Sequence, residues 1–217
     1  DHYDHLDLDS IEKLKHKTAN YFVSIGSKRH LEYWGIEPEK ITEFDWWDEQ
    51  TFEGIQITFT PTRHFAGRGL TDKAKSFWGG WIFKTSEHNI WFSGDGGYGK
   101  HFKEIGEKKG PFDFAFMECG QYNEKWDLIH MFPEQTIQAA KDAGAKKIMP
   151  VHWSGFSLAP HTWYEPADRF VEACESEKSA YTLPKLGELI DLEHESKEQW
   201  WENYRIKEKE KSTFCKK

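Results

Sequence analysis

The chain has 217 residues, which suits one sizeable domain and is short for two. Its formal net charge of −8 argues against broad nucleic-acid binding, which usually needs a basic face. No apolar stretch approaches the roughly 20 residues that span a bilayer. Three cysteines without a short-spaced pair indicate neither a disulfide framework nor a thiolate zinc cluster. We therefore expect a soluble protein of a reducing compartment, the cytoplasm.

Along the chain, apolar periodicity predicts strands that alternate with helices. The predicted strands are apolar or alternating runs at 21–25, 55–60, 77–83, 90–93, 112–117 and 147–151. The predicted helices, bounded by capping residues, Pro or Gly, are 10–19, 27–33, 133–143 and 166–177. This alternation indicates an α/β layered domain, which we assign to residues 1–190. Residues 191–217 are dense in Glu and Lys, and we expect a charged tail, docked by its tryptophans if at all.

Two imidazoles and a carboxylate lie within four positions at the start of the sequence: His2, Asp4 and His5. Imidazole nitrogen and carboxylate oxygen are ordinary ligands for zinc and related divalent ions. Ligands this close in sequence can serve two adjacent ions from a single turn. Asp and His are also common on solvated loops, so the cluster alone leaves both interpretations open.

Three further candidate ligands each follow a predicted strand. His64 comes after the strand at 55–60, Asp95 after the strand at 90–93, and His152 after the strand at 147–151. Loops that leave strand ends are where α/β proteins tend to place their sites. Together with the opening cluster, this arrangement favours a metal site over isolated structural histidines.

These segments resemble the metallo-β-lactamase fold family. The opening, Asp1 to Asp7, is similar to a His-x-His-x-Asp-His motif whose first His would stand just before Asp1. The other matching segments are 61–69, 93–98, 129–134 and 151–159, and the likeness extends to about Ile190. It is strongest to the branch that contains N-acylphosphatidylethanolamine-hydrolysing phospholipase D. The resemblance implies an α/β fold, the metallo-β-lactamase-type αββα sandwich, here lacking its N-terminal strands.

The resemblance also implies two metal ions roughly 3.5–4 Å apart. One ion would be bound by the missing first His, His2 and His64, the other by Asp4, His5 and His152, and Asp95 would bridge them. Zinc is the expected metal, and iron or manganese suits the same ligands. Without the first His, one of the two positions is expected to bind its ion weakly or to stay empty.

We interpret the chain as truncated at its N-terminus, because the family fold begins well before this motif. An exposed sheet edge is then expected, and with it either self-association into a homo-oligomer that covers the edge or marginal stability.

The expected activity is that of a metal-dependent hydrolase acting on a small-molecule or lipid-like substrate. In an intact site of this family, a metal-bound hydroxide would attack a phosphodiester of a phospholipid-like molecule. Asp4 and His130 are the expected catalytic residues, with His130 giving a proton to the leaving group or binding the oxyanion. Two alternatives stay open: a lactonase or sugar-phosphate hydrolase, since related branches use the same ligands, and a metal-binding fragment without activity.

Other polar residues have weaker signals. Arg68 and Tyr98 flank the expected ligands and could hold an anionic substrate, and His161 could line the pocket. Surface positions are expected for the histidines in polar surroundings: His16, His30, His88, His101 and His194.

Overall fold

A mixed sheet of seven strands forms the centre of the structure, a computed structural model that describes residues 1–156, 158–193 and 195–205. Its strands, in both chain and spatial order, are β3 (Glu49–Phe52), β4 (Ile55–Pro61), β5 (Gly79–Lys84), β6 (Asn89–Phe92), β7 (Phe114–Glu118), β8 (Lys147–Val151) and β9 (Ala180–Tyr181). Neighbours pair antiparallel from β3 to β6 and parallel from β6 to β9. Two more strands, β1 (Tyr21–Ser24) and β2 (Ile41–Phe44), pair in parallel as a separate small sheet.

Helices complete the layered architecture. They are α1 (Leu8–Leu14), α2 (Lys28–Tyr33), α3 (His101–Lys109), α4 (Pro133–Asp142) and α5 (Glu165–Ser176). The main core lies where α3, α4 and α5 bring apolar side chains such as Ile105, Ile137 and Phe170 against Trp91 and Met117 of the large sheet. Burial of this apolar area stabilises the arrangement of helices on the sheet. This is the mixed α/β fold that the sequence predicts.

The opposite side of the large sheet carries a row of aromatic rings. Strand register places Phe59, Trp81, Phe92 and Phe116 side by side across β4, β5, β6 and β7. The small sheet covers part of this row, with the ring of Phe44 5.2 Å from that of Trp81. A groove of about 220 Å³ lies between the small sheet and the aromatic row and reaches the predicted metal ligands. The predicted self-association and marginal stability remain predictions.

Most predicted elements are confirmed, and the differences have physical causes. The first helix begins at Leu8, capped by the side chain of Asp7, which accepts from the Ser10 N–H at 2.8 Å. The prediction that this helix continues to residue 19 was wrong, because it ends at Leu14. The sequence analysis also missed α3, β2, β3 and β9, which are short or interrupted by glycine.

Part of the charged tail packs on the domain. Trp201 is fully buried within the main core, and its indole N–H donates to Asp168 at 2.8 Å. The predicted tail is thus docked by a tryptophan in its described part, which ends at Arg205. The boundary between a domain at 1–190 and a tail at 191–217 stays a prediction, and residues 206–217 lie outside the described part. Among the described residues, none of the helices has the length and apolar character to cross a membrane.

Candidate metal centre

The predicted ligands come together at one edge of the large sheet. Because β4 and β6 run in the same direction as β7 and β8, the C-terminal ends of these four strands lie on the same side. The segments that leave β4, β6 and β8 carry His64, Asp95 and His152. Chain segments far apart in sequence therefore deliver their polar side chains to one place, as in other α/β proteins.

A tight turn supplies the remaining ligands. The backbone N–H groups of His5 and Leu6 both donate to the carbonyl of His2, at 3.1 and 2.8 Å. This turn points Asp4 and His5 towards the strand ends and leads directly into α1. Residues 1–7 thus form a short ligand-bearing segment whose exit is fixed by the helix cap at Asp7.

Four of the predicted ligands form one group, with one ligand atom from each lying within 4.8 Å of all the others: Asp4, His5, Asp95 and His152. The Nε2 atom of His5 lies 2.8 Å from Asp95 Oδ2. His152 Nε2 lies 3.2 Å from the same oxygen and 3.3 Å from Asp4 Oδ2. Two imidazoles and two carboxylates facing one point are a set that suits a tetrahedral divalent ion.

His64 belongs to a second group that shares Asp95 and contains His130. His64 Nδ1 lies 3.0 Å from the Ile129 carbonyl, and its Nε2 lies 3.4 Å from His2 Nδ1. His2 therefore contacts His64, but the three-residue group within 4.8 Å contains His130 rather than His2. The Nε2 atom of His2 is buried without a hydrogen-bond partner among the described residues.

Both carboxylates at the centre are held ionised. Burial raises the pKa of Asp95, but the hydrogen bond from His5 and the charges of His152 and His5 outweigh it, so this pKa lies well below its usual range. The hydrogen bond with His152 is the main cause that lowers the pKa of Asp4 to about 2. The centre therefore presents two anionic oxygen ligands at neutral pH.

The imidazoles respond to the same surroundings in opposite ways. Burial lowers the pKa of His64 to about 4, so this ring is neutral and can donate a lone pair. Burial also opposes the charged form of His152, yet the hydrogen bond to Asp4 and the nearby charge of Asp95 raise its pKa to about 10. In the protein alone, a proton on His152 balances the carboxylates, and a bound cation would replace that proton.

The residues present fit a divalent metal ion. The donor set consists of nitrogen and oxygen ligands, the carboxylates are ionised, and the buried Nε2 of His2 is an orphaned polar atom at the edge of the site. Asp4, His5, Asp95 and His152 would hold one ion. His2 and His64, with Asp95, remain the predicted ligands of a second.

Backbone geometry also marks the site. His152 has φ 67°, a left-handed conformation that is uncommon for a residue other than glycine. The backbone is also closely packed here, because a Cβ on Gly120 would lie 2.1 Å from the His152 carbonyl oxygen. Such local strain clusters at functional sites, where the surrounding structure maintains it.

Sequence reasoning missed one buried acid beside the predicted ligands. Glu118, the last residue of β7, is fully buried, and its Oε1 lies 2.9 Å from His130 Nδ1. Its position at a strand end is the signal that identified Asp95 and His152, so the same rule applied to β7 would have found it.

Several weaker predictions have different structural outcomes. The Arg68 guanidinium donates to the carbonyls of Asp1 and Leu6, so it braces the ligand segment while lining the cleft above it. The Tyr98 hydroxyl donates to Asp142, and His161 stacks on Tyr122 with ring centroids 4.4 Å apart.

The histidines expected at the surface divide into two sets. His16 and His88 are exposed, as predicted. His30 and His101 are half-buried, so that prediction was wrong for them. The ring of His101 lies against Phe102, at 4.1 Å between centroids, and this contact removes it from water. His194 lies outside the described residues.

Known proteins are similar to this chain in sequence and in fold. A family model described as the beta-lactamase superfamily domain matches residues 1–153. The uncharacterized protein Rv0906 of Mycobacterium tuberculosis is 38% identical over 195 residues, covering 88% of this chain and 52% of that protein. N-acyl-phosphatidylethanolamine-hydrolyzing phospholipase D 1 of Caenorhabditis elegans is 29% identical over 206 residues, covering 87% of this chain and 58% of that enzyme. The chain thus spans about half the length of these curated relatives.

A solved structure supports the fold independently. Igni18, a metallo hydrolase from the archaeon Ignicoccus hospitalis, superposes with a TM-score of 0.67 at 19% identity, covering 87% of this chain and 75% of Igni18. The mixed sheet, the strand-end site and the matched family model agree. The chain belongs to the beta-lactamase superfamily domain family and has the metallo-β-lactamase fold.

Proposed function

We propose that this protein is a metal-dependent phosphodiesterase that acts on phospholipid-like substrates. The observation that carries the proposal is the group of two imidazoles and two carboxylates, of which Asp4, Asp95 and His152 line the floor of an apolar cleft. The similarity to a phospholipase D of Caenorhabditis elegans supports the choice of a phosphodiester over other esters.

The cleft above the candidate ligands suits a molecule that is polar at one end and apolar elsewhere. It has a volume of about 480 Å³. Its floor contains Asp4, Asp95 and His152, and its walls include the apolar side chains of Tyr3, Phe65, Trp126, Ile129 and Leu158. Mostly apolar clefts with a few convergent polar groups are typical of small-ligand sites. A phosphate group at the floor would leave its organic substituents against these walls.

Zinc, with iron or manganese as alternatives, is the proposed cofactor, and two ions per site is the family expectation. When bound, such a metal lowers the pKa of water and polarises a phosphoryl oxygen. The chain contributes ligands whose charges are already set: Asp4 and Asp95 are anionic and His64 is neutral. The apolar walls lower the polarity around the reacting group, which strengthens electrostatic interactions there.

His130 is positioned to serve the leaving group. Its ring lies 5.1 Å from that of His64 and 5.3 Å from that of His152, at the wall of the cleft. Since Nδ1 is engaged by Glu118, Nε2 is the ring nitrogen that remains for substrate. We propose that this atom gives its proton to the departing alkoxide, a step that alkyl leaving groups need and nitrophenolate does not.

A comparison of two phosphodiesters tests this proposal. Zinc-loaded protein is assayed with bis(4-nitrophenyl) phosphate and with a short-chain phosphatidylethanolamine below its micellar concentration. We expect turnover of both. We expect His130→Gln to lower turnover of the phospholipid about 100-fold or more and turnover of the nitrophenyl ester much less. Asp95→Asn should abolish both, because it removes the shared ligand.

Three outcomes would contradict the proposal. Turnover of a lactone without turnover of either phosphodiester would favour the lactonase alternative. Bound metal without any of these activities would favour a metal-binding fragment. An equal effect of His130→Gln on both phosphodiesters would remove the proposed role of this residue.

The remaining proposals concern partners and location. A small or lipid-like substrate is the proposed ligand, and a second copy of the chain is the proposed protein partner. Cys119 and Cys174 are buried free thiols, which supports a reducing compartment such as the cytoplasm.

A further inference from the structure

A buried carboxylate stands behind the two histidines of the cleft. Glu118 is fully buried at the end of β7. One oxygen, Oε1, faces His130 Nδ1 at 2.9 Å, and the other, Oε2, accepts from the backbone N–H of Met131 at 3.0 Å. A fully buried acid is costly unless its oxygens are satisfied, and here each oxygen has its own donor.

The surrounding structure fixes where this carboxylate points. The backbone N–H of Glu118 donates to Ser93 Oγ at 3.0 Å, and the backbone carbonyl accepts from Thr136 Oγ1 at 2.8 Å. Ser93 follows β6 and Thr136 lies in α4, so two elements hold the end of β7 from opposite sides. The side chain therefore reaches His130 from a rigid position.

The hydrogen bond decides which nitrogen of His130 carries a proton. A carboxylate only accepts, so Nδ1 must be the donor and must stay protonated. Nε2 can then release its proton and leave a neutral ring, which it could not do if Nδ1 were bare. We propose that Glu118 is a positioning residue that holds His130 in the Nδ1–H form, with Nε2 turned to the substrate.

His152 stands beside the same carboxylate. Its Nδ1 lies 3.7 Å from Glu118 Oε1, beyond hydrogen-bond distance, and has no partner among the described residues. Glu118 therefore bonds His130 and not His152, so its effect on the cleft is exerted through His130.

The substitution Glu118→Gln tests the inference with almost no change in side-chain size. Glutamine has one acceptor oxygen and one NH₂ donor. The Met131 N–H is a fixed donor in a buried position and takes the oxygen, so the NH₂ group faces His130 Nδ1. That nitrogen must then accept, and His130 changes to the Nε2–H form.

Nitrogen-15 NMR of the histidine rings gives a readout that does not depend on activity. His130 is assigned by loss of its signals in His130→Gln. We expect Nδ1 to be protonated in the wild-type protein and unprotonated in Glu118→Gln. The exposed residue Glu177, whose carboxylate pairs with Lys141, supplies the control substitution Glu177→Gln, which should leave the His130 signals unchanged.

Kinetics provide the second arm, which rests on the proposed function. We expect Glu118→Gln to lower turnover of the short-chain phosphatidylethanolamine about 10- to 100-fold. In the His130→Gln background the same substitution should have less than about a twofold further effect, because the residue acts through His130. A purely structural role would instead lower turnover in both backgrounds and lower the unfolding temperature.

Two results would overturn the inference. One is an unprotonated Nδ1 of His130 in the wild-type protein, which is measurable even if Glu118→Gln does not fold. The other is an unchanged ring form in a folded Glu118→Gln variant. If the wild-type protein turns over neither phosphodiester, the proposed function fails, while the NMR result still decides the role of Glu118.

Discussion

Whether a buried polar side chain is held in its charged or its neutral form depends in this protein on its partners. Glu118 is buried with both oxygens bonded, and Asp95 is buried among imidazoles that hold it ionised. His101 has no such partner: its Nε2 is buried without a hydrogen bond among the described residues. Burial and the nearby charge of Arg63 lower the pKa of His101 to about 4. Protonation of His101 therefore destabilises the folded state.

The lowered pKa of His101 predicts a loss of stability as the pH falls. A histidine whose pKa falls on folding binds more protons in the unfolded state than in the folded state. The contribution of His101 to the free energy of unfolding is therefore complete above about pH 6.5 and is lost as the pH falls towards 4. We expect the wild-type protein to lose about 2 kcal/mol more unfolding free energy than His101→Gln between pH 7 and pH 5. Urea unfolding of both proteins at each pH measures the difference. Parallel losses in the two proteins would show that His101 does not titrate in this range.

The strands that build the site approach each other more closely than ordinary side chains allow. Gly94, just after β6, has φ 67°, and a Cβ there would lie 2.2 Å from the backbone oxygen of Gly79 at the start of β5. Asp95 is the next residue, so this contact fixes the direction in which this candidate ligand leaves the sheet. The positive φ and the lack of room for a Cβ together require glycine at position 94.

Substitution of this glycine should disturb the metal centre through the backbone. We expect Gly94→Ala to destabilise the protein by more than about 1 kcal/mol and to reduce bound zinc, because β5 and β6 must separate. Thermal unfolding and zinc analysis provide the measurements. Gly155→Ala is the matched control, since a Cβ at Gly155 meets nothing within 4 Å. Wild-type zinc content in Gly94→Ala would refute the argument.

Elements differ in how far their sequence predicts them. Strands β4, β6 and β8 are short alternating or apolar runs, so periodicity identified them and the candidate ligands that follow. Helix α3 contains Gly106, and glycine is less favourable in a helix than alanine by about 1 kcal/mol. Packing explains that glycine, because a Cβ there would lie 2.7 Å from the Asp142 carbonyl oxygen of α4. Tertiary contact thus favours a helix that local propensity does not predict.

At the scale of the whole molecule, the core extends from the sheet to the charged tail. Trp201 is fully buried in the main core beside Trp153, with ring centroids 5.5 Å apart, and Trp153 follows the candidate ligand His152. Composition alone assigned this segment to a tail, because its charged residues outnumber its apolar ones. A few large aromatic side chains can nevertheless anchor such a segment.

Removal of this anchor should destabilise the whole domain. We expect Trp201→Ala to cost about 3–5 kcal/mol of unfolding free energy, since it leaves a large cavity and removes the hydrogen bond to Asp168. Tyr204→Ala, at an exposed aromatic of the same segment, should cost less than about 1 kcal/mol. Equal, small effects of the two substitutions in urea unfolding would mean that the segment after residue 190 contributes little to the fold.

The site as a whole was predictable only in part. Strand ends and the opening cluster indicated the six candidate ligands, because their spacing relative to secondary structure can be read from sequence. The contact of His130 with Glu118 could not be read in this way, since it depends on how α4 packs against β7. The grouping of His130, rather than His2, with His64 and Asp95 likewise arises from tertiary packing.

The central claim is that Asp4, His5, Asp95 and His152 hold a divalent ion. Elemental analysis of protein purified without added metal tests it most directly, with His152→Ala and the exposed-residue control His16→Ala alongside. We expect about one to two equivalents of zinc, iron or manganese per chain in the wild-type protein and in His16→Ala. We expect a loss of at least one equivalent in His152→Ala. A folded wild-type protein without metal, or unchanged metal in His152→Ala, would contradict the account.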